Sequence, residues 1–294
     1  MTQKVVVVGA GGQLGRELVR TAPVAVECAA LTRSELDVAD ARAVAARLAE
    51  LAPRVVINAA AYTAVDAAES EPEAAHLANV DGPTNLARAC AGLGDVGLIQ
   101  ISTDFVFDGE ASRPYNADAL PAPLGEYGQS KLAGELAVRG ILPEALVIRT
   151  GWVYSRFGNN FVKTMLRLMA GRSDLGVVAD QVGTPTWARG LAEAIWAAVV
   201  RPRLDDIYHW SDAGVCSWYD FAVAIHEEAH AIGLLQRPVR INPITTADYP
   251  TAARRPAYSV LDKTSAWRDL GMTGVHWRVQ LRAMLAELKE VQDG

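Results

Sequence analysis

Three residues near the middle of the chain carry side chains that could pass a proton among them. Thr103, Tyr127 and Lys131 all fall within STDFVFDGEASRPYNADALPAPLGEYGQSKLAGE, which runs from Ser102 to Glu135. Tyr127 and Lys131 are four residues apart and would share one face of a helix. A free phenol titrates near pH ~10 and is a poor proton donor or acceptor at neutrality unless its surroundings tune it. An ammonium a few ångströms away favours the phenolate and would lower that value. A cofactor ribose could bridge the two groups, and the Thr103 hydroxyl could hold the same substrate oxygen. The chemistry that suits this set is proton delivery to a carbonyl oxygen while a hydride reaches its carbon. A tyrosine four residues ahead of a lysine also recurs by chance on solvated helices, so the assignment depends on what positions the three.

The elements around them alternate. KVVVV (Lys4 to Val8) is a short β-branched run of the kind that forms a buried strand. GQLGRELVR after it starts a helix, AVECAAL is a second strand, and DARAVAARLAELA is a helix opened by Asp40 and closed near Pro53. RVVINAAA, VGLIQIST and EALVIRTGWVY continue the strands. EPEAAHLANVDGPTNLARACAGLG and GEYGQSKLAGELAVRG supply helices, the former interrupted at Gly82-Pro83. Strands apolar on both faces, alternating with helices, predict an α/β fold: a doubly wound parallel sheet of Rossmann type. Residues 1–150 read as a dinucleotide-binding domain. Residues 151–294, richer in Trp and Pro, read mainly as a smaller mixed α/β lobe for substrate, with some segments returning to the first domain.

The first strand runs into GAGGQLGREL, where Gly9, Gly12 and Gly15 have GxxGxxG spacing. A strand, a glycine loop and a helix start in that order let backbone N–H groups meet a pyrophosphate at the helix N-terminus. Ala59 and Ala60, at the exit of the third strand, are placed on the same dinucleotide. After the second strand comes Thr32-Arg33-Ser34, with Glu35 and Asp37 later. A carboxylate at that strand end favours the ribose 2′-hydroxyl of NAD, and an arginine the 2′-phosphate of NADP. Arg33 points to NADPH, with NADH as the alternative. Arg254-Arg255-Pro256 is a candidate clamp for a diphosphate, since arginine binds phosphate bidentately. Trp152 directly follows a strand near the site and could touch substrate. Asp180, Gln181 and Thr186 either face the pocket or shape a turn.

These segments together with NAAAYTAVDAAE, STDFVFDG, YGQSKLAGE, RTGWVYSRFGNNFVKTML, DQVGTPT and RRPAYSVLD resemble the extended short-chain dehydrogenase/reductases, in their order and over nearly the whole chain. Within them they resemble the branch that reduces a keto nucleotide sugar. The resemblance implies hydride transfer to C4 of dTDP-4-dehydro-β-L-rhamnose, giving dTDP-β-L-rhamnose. Tyr127 would protonate the alkoxide, and Lys131 would hold the ribose and tune the phenol. Thr103 and Asp104 would orient the sugar, Trp152 would pack on it, and Asn159, Gln181 and Arg255 would complete the substrate contacts. Gln13, Leu14, Asp37, Val38, Thr63, Ala64, Val65 and Ile101 match positions that contact the dinucleotide. The chain departs from the pattern at Phe105, where tyrosine is usual. Glu17 matches a position some members use for magnesium at a dimer interface; no metal is assigned here. The resemblance also leaves a homodimer as the candidate assembly. Rival readings are a sugar epimerase or 4,6-dehydratase, and a non-catalytic dinucleotide-binding subunit like the partner of methionine adenosyltransferase.

Composition narrows the partners. Of the 294 residues, 50% are hydrophobic and 21% charged, which suits a globular protein with a sizeable core. A net charge of −6 argues against a general nucleic-acid or anionic-membrane surface. Cys28, Cys90 and Cys216 are scattered, as for reduced thiols in a cytoplasmic protein. HEEAH, from His226 to His230, matches a zinc-protease helix, but no third ligand follows at a suitable distance. Phe221, Ile225, Ala229 and Ile232 instead give that segment the stripe of an amphipathic helix. Trp187, Trp196, Trp210 and Trp218 read mostly as core, with a lip around a ligand as the second use.

Overall fold

The computed structural model describes residues 3–201 and 206–293. Six strands form the central sheet: β1 (Gln3–Val8), β2 (Val26–Leu31), β3 (Val55–Asn58), β4 (Gly97–Thr103), β5 (Leu146–Thr150) and β6 (Ile207–His209). Their order is β6-β5-β4-β3-β1-β2, every pair parallel. The order reverses between β1 and β3, and a sheet of this kind opens a crevice at the carboxyl ends of those two strands.

Apolar residues on alternate sides of each strand explain the two covering layers. Val5, Val7, Ile57, Ile99 and Ile148 face helices α1 (Gln13–Arg20) and α6 (Ala188–Val199). Val6, Val8, Val56 and Leu98 face α2 (Ala41–Leu51), α3 (Gly82–Leu93) and α4 (Glu126–Ile141). Asp40 caps α2 by accepting from the N–H groups of Arg42 and Ala43, as its position in the sequence implies. Gly82-Pro83 does not break the preceding helical run. The backbone widens to a π-type turn over Leu77–Asp81 and resumes with Pro83 in the first turn of α3, where its missing N–H costs nothing.

The segment read as one strand from Glu144 to Tyr154 is divided. β5 ends at Thr150, and Trp152 takes a left-handed backbone with φ of 51°. A bulky residue there turns the chain sharply out of the sheet. Beyond it, α5 (Phe161–Gly171) and α7 (Trp218–Ala231) enclose a second apolar cluster around Tyr154, Val162, Phe221 and Leu281. Helix α6 and strand β6 lie on the main sheet although they follow residue 150.

Candidate active site

The glycine loop lies at the β1–β3 crevice. Gly9 has φ of +81°, and a side chain there would meet the backbone of Ala60 at 2.5 Å. Only glycine lets these two strand exits approach so closely. Gly12 caps α1 without any side-chain bond, so the first N–H groups of the helix, at Gln13 and Leu14, point outward. The crevice has two connected parts. One, of about 580 Å³, is lined by Gly9, Gly12, Arg33, Asp37, Val38, Ala59 and Ala60 among others. The other, of about 490 Å³, shares Gly12, Ala59 and Ala60 with it and adds Gln13, Leu14, Thr63, Val65 and Ile101. Gly15 and Ala64 are not part of either lining. Gly15 abuts the Gly9 carbonyl and sets helix-to-strand packing, while Ala64 caps the short helix Val65–Ala68.

These residues fit a dinucleotide. The open helix N-terminus and the missing glycine side chains provide for a pyrophosphate. Arg33 is exposed and has no ion-pair partner among the described residues, whereas Glu35 accepts from Thr32 N at 2.8 Å and Thr32 Oγ1 at 2.7 Å. The arginine is therefore free to meet a 2′-phosphate, and the carboxylate is occupied. The hydroxyls of Ser102 and Thr150 are buried in the inner crevice lining without a hydrogen-bond partner among the described residues. Such groups are satisfied by a ligand or water.

Thr103, Tyr127 and Lys131 converge on the inner part of the crevice. Tyr127 and Lys131 stand in the first two turns of α4, and Thr103 ends β4. The Tyr127 hydroxyl is hydrogen-bonded to Thr103. Phe105 packs its ring edge-on against Tyr127, with centroids 5.6 Å apart.

One expectation needs correction. Lys131 does not lower the tyrosine's pKa in this structure. Its Nζ donates to the Ile101 carbonyl at 2.7 Å, and burial pushes its own pKa down to about 8, opposed by Glu135. Burial pushes Tyr127 up to about 12, opposed by the Thr103 hydrogen bond and reinforced by the charge of Asp104. Both heads are desolvated, which shifts each toward its neutral form, fully so for the phenol, while the amine stays mostly charged at neutral pH. A neutral phenol is the form a proton donor needs.

At the substrate end, Asp104, Trp152, Asn159 and Arg255 all line the inner crevice. Asp104 is buried, and burial raises its pKa to about 6 against hydrogen bonds from Ser259 and Thr103. Arg255 is engaged: its guanidinium makes a two-pronged pair with Asp66 at 3.0 and 2.7 Å. Gln181, expected against the substrate, is buried outside the lining and donates to Thr246 Oγ1 at 3.0 Å. Asp180 accepts from Thr246, and Thr186 donates to the Gly151 carbonyl, so both shape turns. Of the four tryptophans read mostly as core, Trp218 takes the second use, as a lip at the ligand crevice. It lines the crevice and stacks on Trp152 with centroids 3.4 Å apart and planes 3° from parallel. No local pattern marks it, because the contact joins the β5 exit to the start of α7.

Two other motifs resolve into structure. His226 Nε2 accepts from Val239 N at 3.1 Å, His230 Nδ1 bonds the Leu235 carbonyl at 2.9 Å, and Glu228 pairs with Arg278 and Arg282. The HEEAH segment thus ties α7 to the C-terminal helix. Glu17 is fully buried and accepts from Ser155 Oγ at 2.7 Å and from Arg20. With both oxygens taken by the chain's own donors, the carboxylate does not fit a magnesium ligand.

A doubly wound parallel sheet with a glycine loop at its switch point, and a tyrosine and lysine facing the same crevice, defines a short-chain dehydrogenase/reductase of Rossmann type. The chain belongs to the RmlD substrate binding domain family, the family of the dTDP-4-dehydrorhamnose reductases, whose pattern matches residues 3–290. It is 41% identical over 290 residues to a dTDP-4-dehydrorhamnose reductase of Aggregatibacter actinomycetemcomitans, covering 96% of this chain and 98% of that one. It is 43% identical over 284 residues to a probable dTDP-4,6-dihydroxy-2-methyloxan-3-one 4-ketoreductase of Streptomyces antibioticus, covering 96% and 94%. The crystal structure of dTDP-4-dehydrorhamnose reductase from Bacillus anthracis in complex with NADP superposes with a TM-score of 0.91 at 35% identity, covering 98% of this chain and all of that one.

Proposed function

We propose that this protein reduces the C4 ketone of dTDP-4-dehydro-β-L-rhamnose with NADPH, NADH serving less well, to give dTDP-β-L-rhamnose. The observation that carries the reading is the meeting of Thr103, Tyr127 and Lys131 in a crevice continuous with the glycine loop. Family membership and the NADP held by the Bacillus anthracis relative support it.

When bound, the cofactor supplies a hydride. The chain's own residues do the rest. Gly9, Gly12 and the first turn of α1 hold the diphosphate, and Arg33 holds the 2′-phosphate. Lys131, whose ammonium already reaches the Ile101 carbonyl, is placed to hold a ribose hydroxyl. Tyr127 delivers its phenolic proton to the carbonyl oxygen as that oxygen gains charge. Thr103 fixes the phenol, and Asp104, Trp152 and Asn159 orient the sugar. The stacked pair Trp152–Trp218 walls the sugar end with apolar surface.

The reading includes a nucleotide-sugar substrate, a cytoplasmic location and a homodimer; light scattering would test the last. Among the described residues, no helix is long and apolar enough to cross a membrane. The decisive experiment incubates the protein with dTDP-4-dehydro-β-L-rhamnose and each reduced nicotinamide, follows the loss of dihydronicotinamide absorbance and identifies the product. Steady NADPH consumption with formation of dTDP-β-L-rhamnose is expected. An epimerase or dehydratase would consume no net reductant, and a binding subunit would not turn over.

A further inference from the structure

We propose that Asp104 is a positioning residue whose protonation state decides where the Thr103 hydroxyl sends its single hydrogen: to the carboxyl group, or to the substrate's carbonyl oxygen. The inference rests on the reductase reading and concerns how that site polarises its ketone.

A threonine hydroxyl has one hydrogen and two lone pairs. In this structure the hydrogen and one lone pair are used. The hydrogen goes to Asp104 Oδ1 at 3.1 Å. The oxygen accepts from Phe105 N at 3.2 Å and lies beside the Tyr127 phenol, a second claimant for the same hydrogen. An ionised carboxylate can only accept, so while Asp104 is charged it claims the Thr103 hydrogen. The ketone oxygen then has one donor, Tyr127. A protonated Asp104 can donate to Thr103 instead, which releases the threonine hydrogen for the ketone. Tyr127 and Thr103 together would then form a two-donor pocket for the developing oxyanion. No proton leaves Asp104 or Thr103 in the step. The proton consumed comes from Tyr127.

The carboxyl group is fixed beside Thr103. It fills the space that a side chain at Gly151 would occupy, and Asp104 is 2% exposed. Ser259, from the far C-terminal segment, bonds the same carboxyl. The groups facing it are Thr103, the Tyr127 phenol, Ser259 and the backbone of Phe105 and Gly151. The two cations of the inner lining are spent elsewhere, Lys131 on the Ile101 carbonyl and Arg255 on Asp66. Burial brings the Asp104 pKa to about 6, within the range where an enzyme assay can follow it.

The test is single-turnover reduction of the keto sugar by NADPH across roughly pH 5 to 7, which isolates the chemical step from product release and stays below the titration of Lys131. Wild type, Asp104→Asn and Thr103→Val are compared, with NADPH binding by fluorescence as the check on folding. In wild type the rate should fall by up to about 10²- to 10³-fold as the pH rises through the ionisation of Asp104, the loss of one oxyanion donor. Asp104→Asn should lose that fall, because its amide cannot ionise and donates to Thr103 at every pH as the neutral acid does; the shape of the profile, not the absolute rate, is the readout. Thr103→Val should also lose the fall, at a uniformly low rate. A flat wild-type profile overturns the proposal, as does a fall that survives in Thr103→Val. If Asp104→Asn binds no NADPH, the Thr103→Val profile alone decides. A wild-type protein that never oxidises NADPH with this sugar refutes the reductase reading itself, a distinct result.

Discussion

Replacing Arg33 by alanine tests the cofactor assignment at one side chain. Arg33 follows the second strand, lines the outer crevice and has no ion-pair partner among the described residues. Its neighbour Glu35 cannot take its place, because Thr32 holds that carboxylate through both its N–H and its hydroxyl and thereby lowers its pKa. A hydrogen bond to a charged group contributes about 1.5–3 kcal/mol when sheltered. Arg33 is exposed, so solvent screening reduces its contact with a 2′-phosphate to about 1–2 kcal/mol. That corresponds to roughly a 5- to 30-fold weaker Kd for NADPH. The Kd for NADH, which lacks the phosphate, should change by less than about twofold. The difference should shrink with added salt, since the Debye length is ~10 Å at 0.1 M and shorter above it. Fluorescence titration of both cofactors at two ionic strengths reads all of this. Equal weakening of NADPH and NADH would mean that Arg33 supports the loop and does not read the phosphate. No change in either would remove it from the site.

Tyr127→Phe should lower turnover by about 10²- to 10⁴-fold while NADPH binds as before, and parallel losses would refute its role as proton donor. Glu135→Ala would strand the buried Arg149, which it binds at 2.7 Å. The cost should be about 3–5 kcal/mol, a fall in Tm of roughly 5–8 °C by calorimetry, and a fall under about 2 °C would show that water reaches the arginine. Arg278 and Arg282 lower the Glu228 pKa to about 2 from 4.5. The stability this gives is present above pH 4.5 and lost as the pH falls toward 2. Glu228→Gln should therefore flatten the acid limb of stability against pH in urea melts, and an unchanged limb would assign acid unfolding to other carboxylates.

Several features followed from short-range rules. The strand, glycine loop and helix at Gly9 to Arg20 were legible because a phosphate cradle is local in sequence. Tyr127 and Lys131 were placed on one face by helical periodicity, and Asp40 was found as a cap from its position alone. The parallel sheet followed from strands apolar on both faces. The division at Trp152 did not, because β-branched and aromatic residues dominate residues 146–154 on both sides of Gly151, and the φ of 51° at Trp152 turns the chain away.

What the sequence determined was which groups exist and which neighbours within a turn or two they meet, since periodicity, capping and glycine spacing act over a few residues. What only the tertiary structure decided was each group's remote partner and its access to water. Lys131 bonds a carbonyl on another element, and burial is what pushes the phenol's pKa up. Arg255 is claimed by Asp66, 189 residues away in sequence. Trp218 joins Trp152 across the crevice, and Ser259 reaches the carboxyl of Asp104. Desolvation and hydrogen-bond partnering depend on everything packed around a side chain, and in this protein most of that packing comes from distant segments.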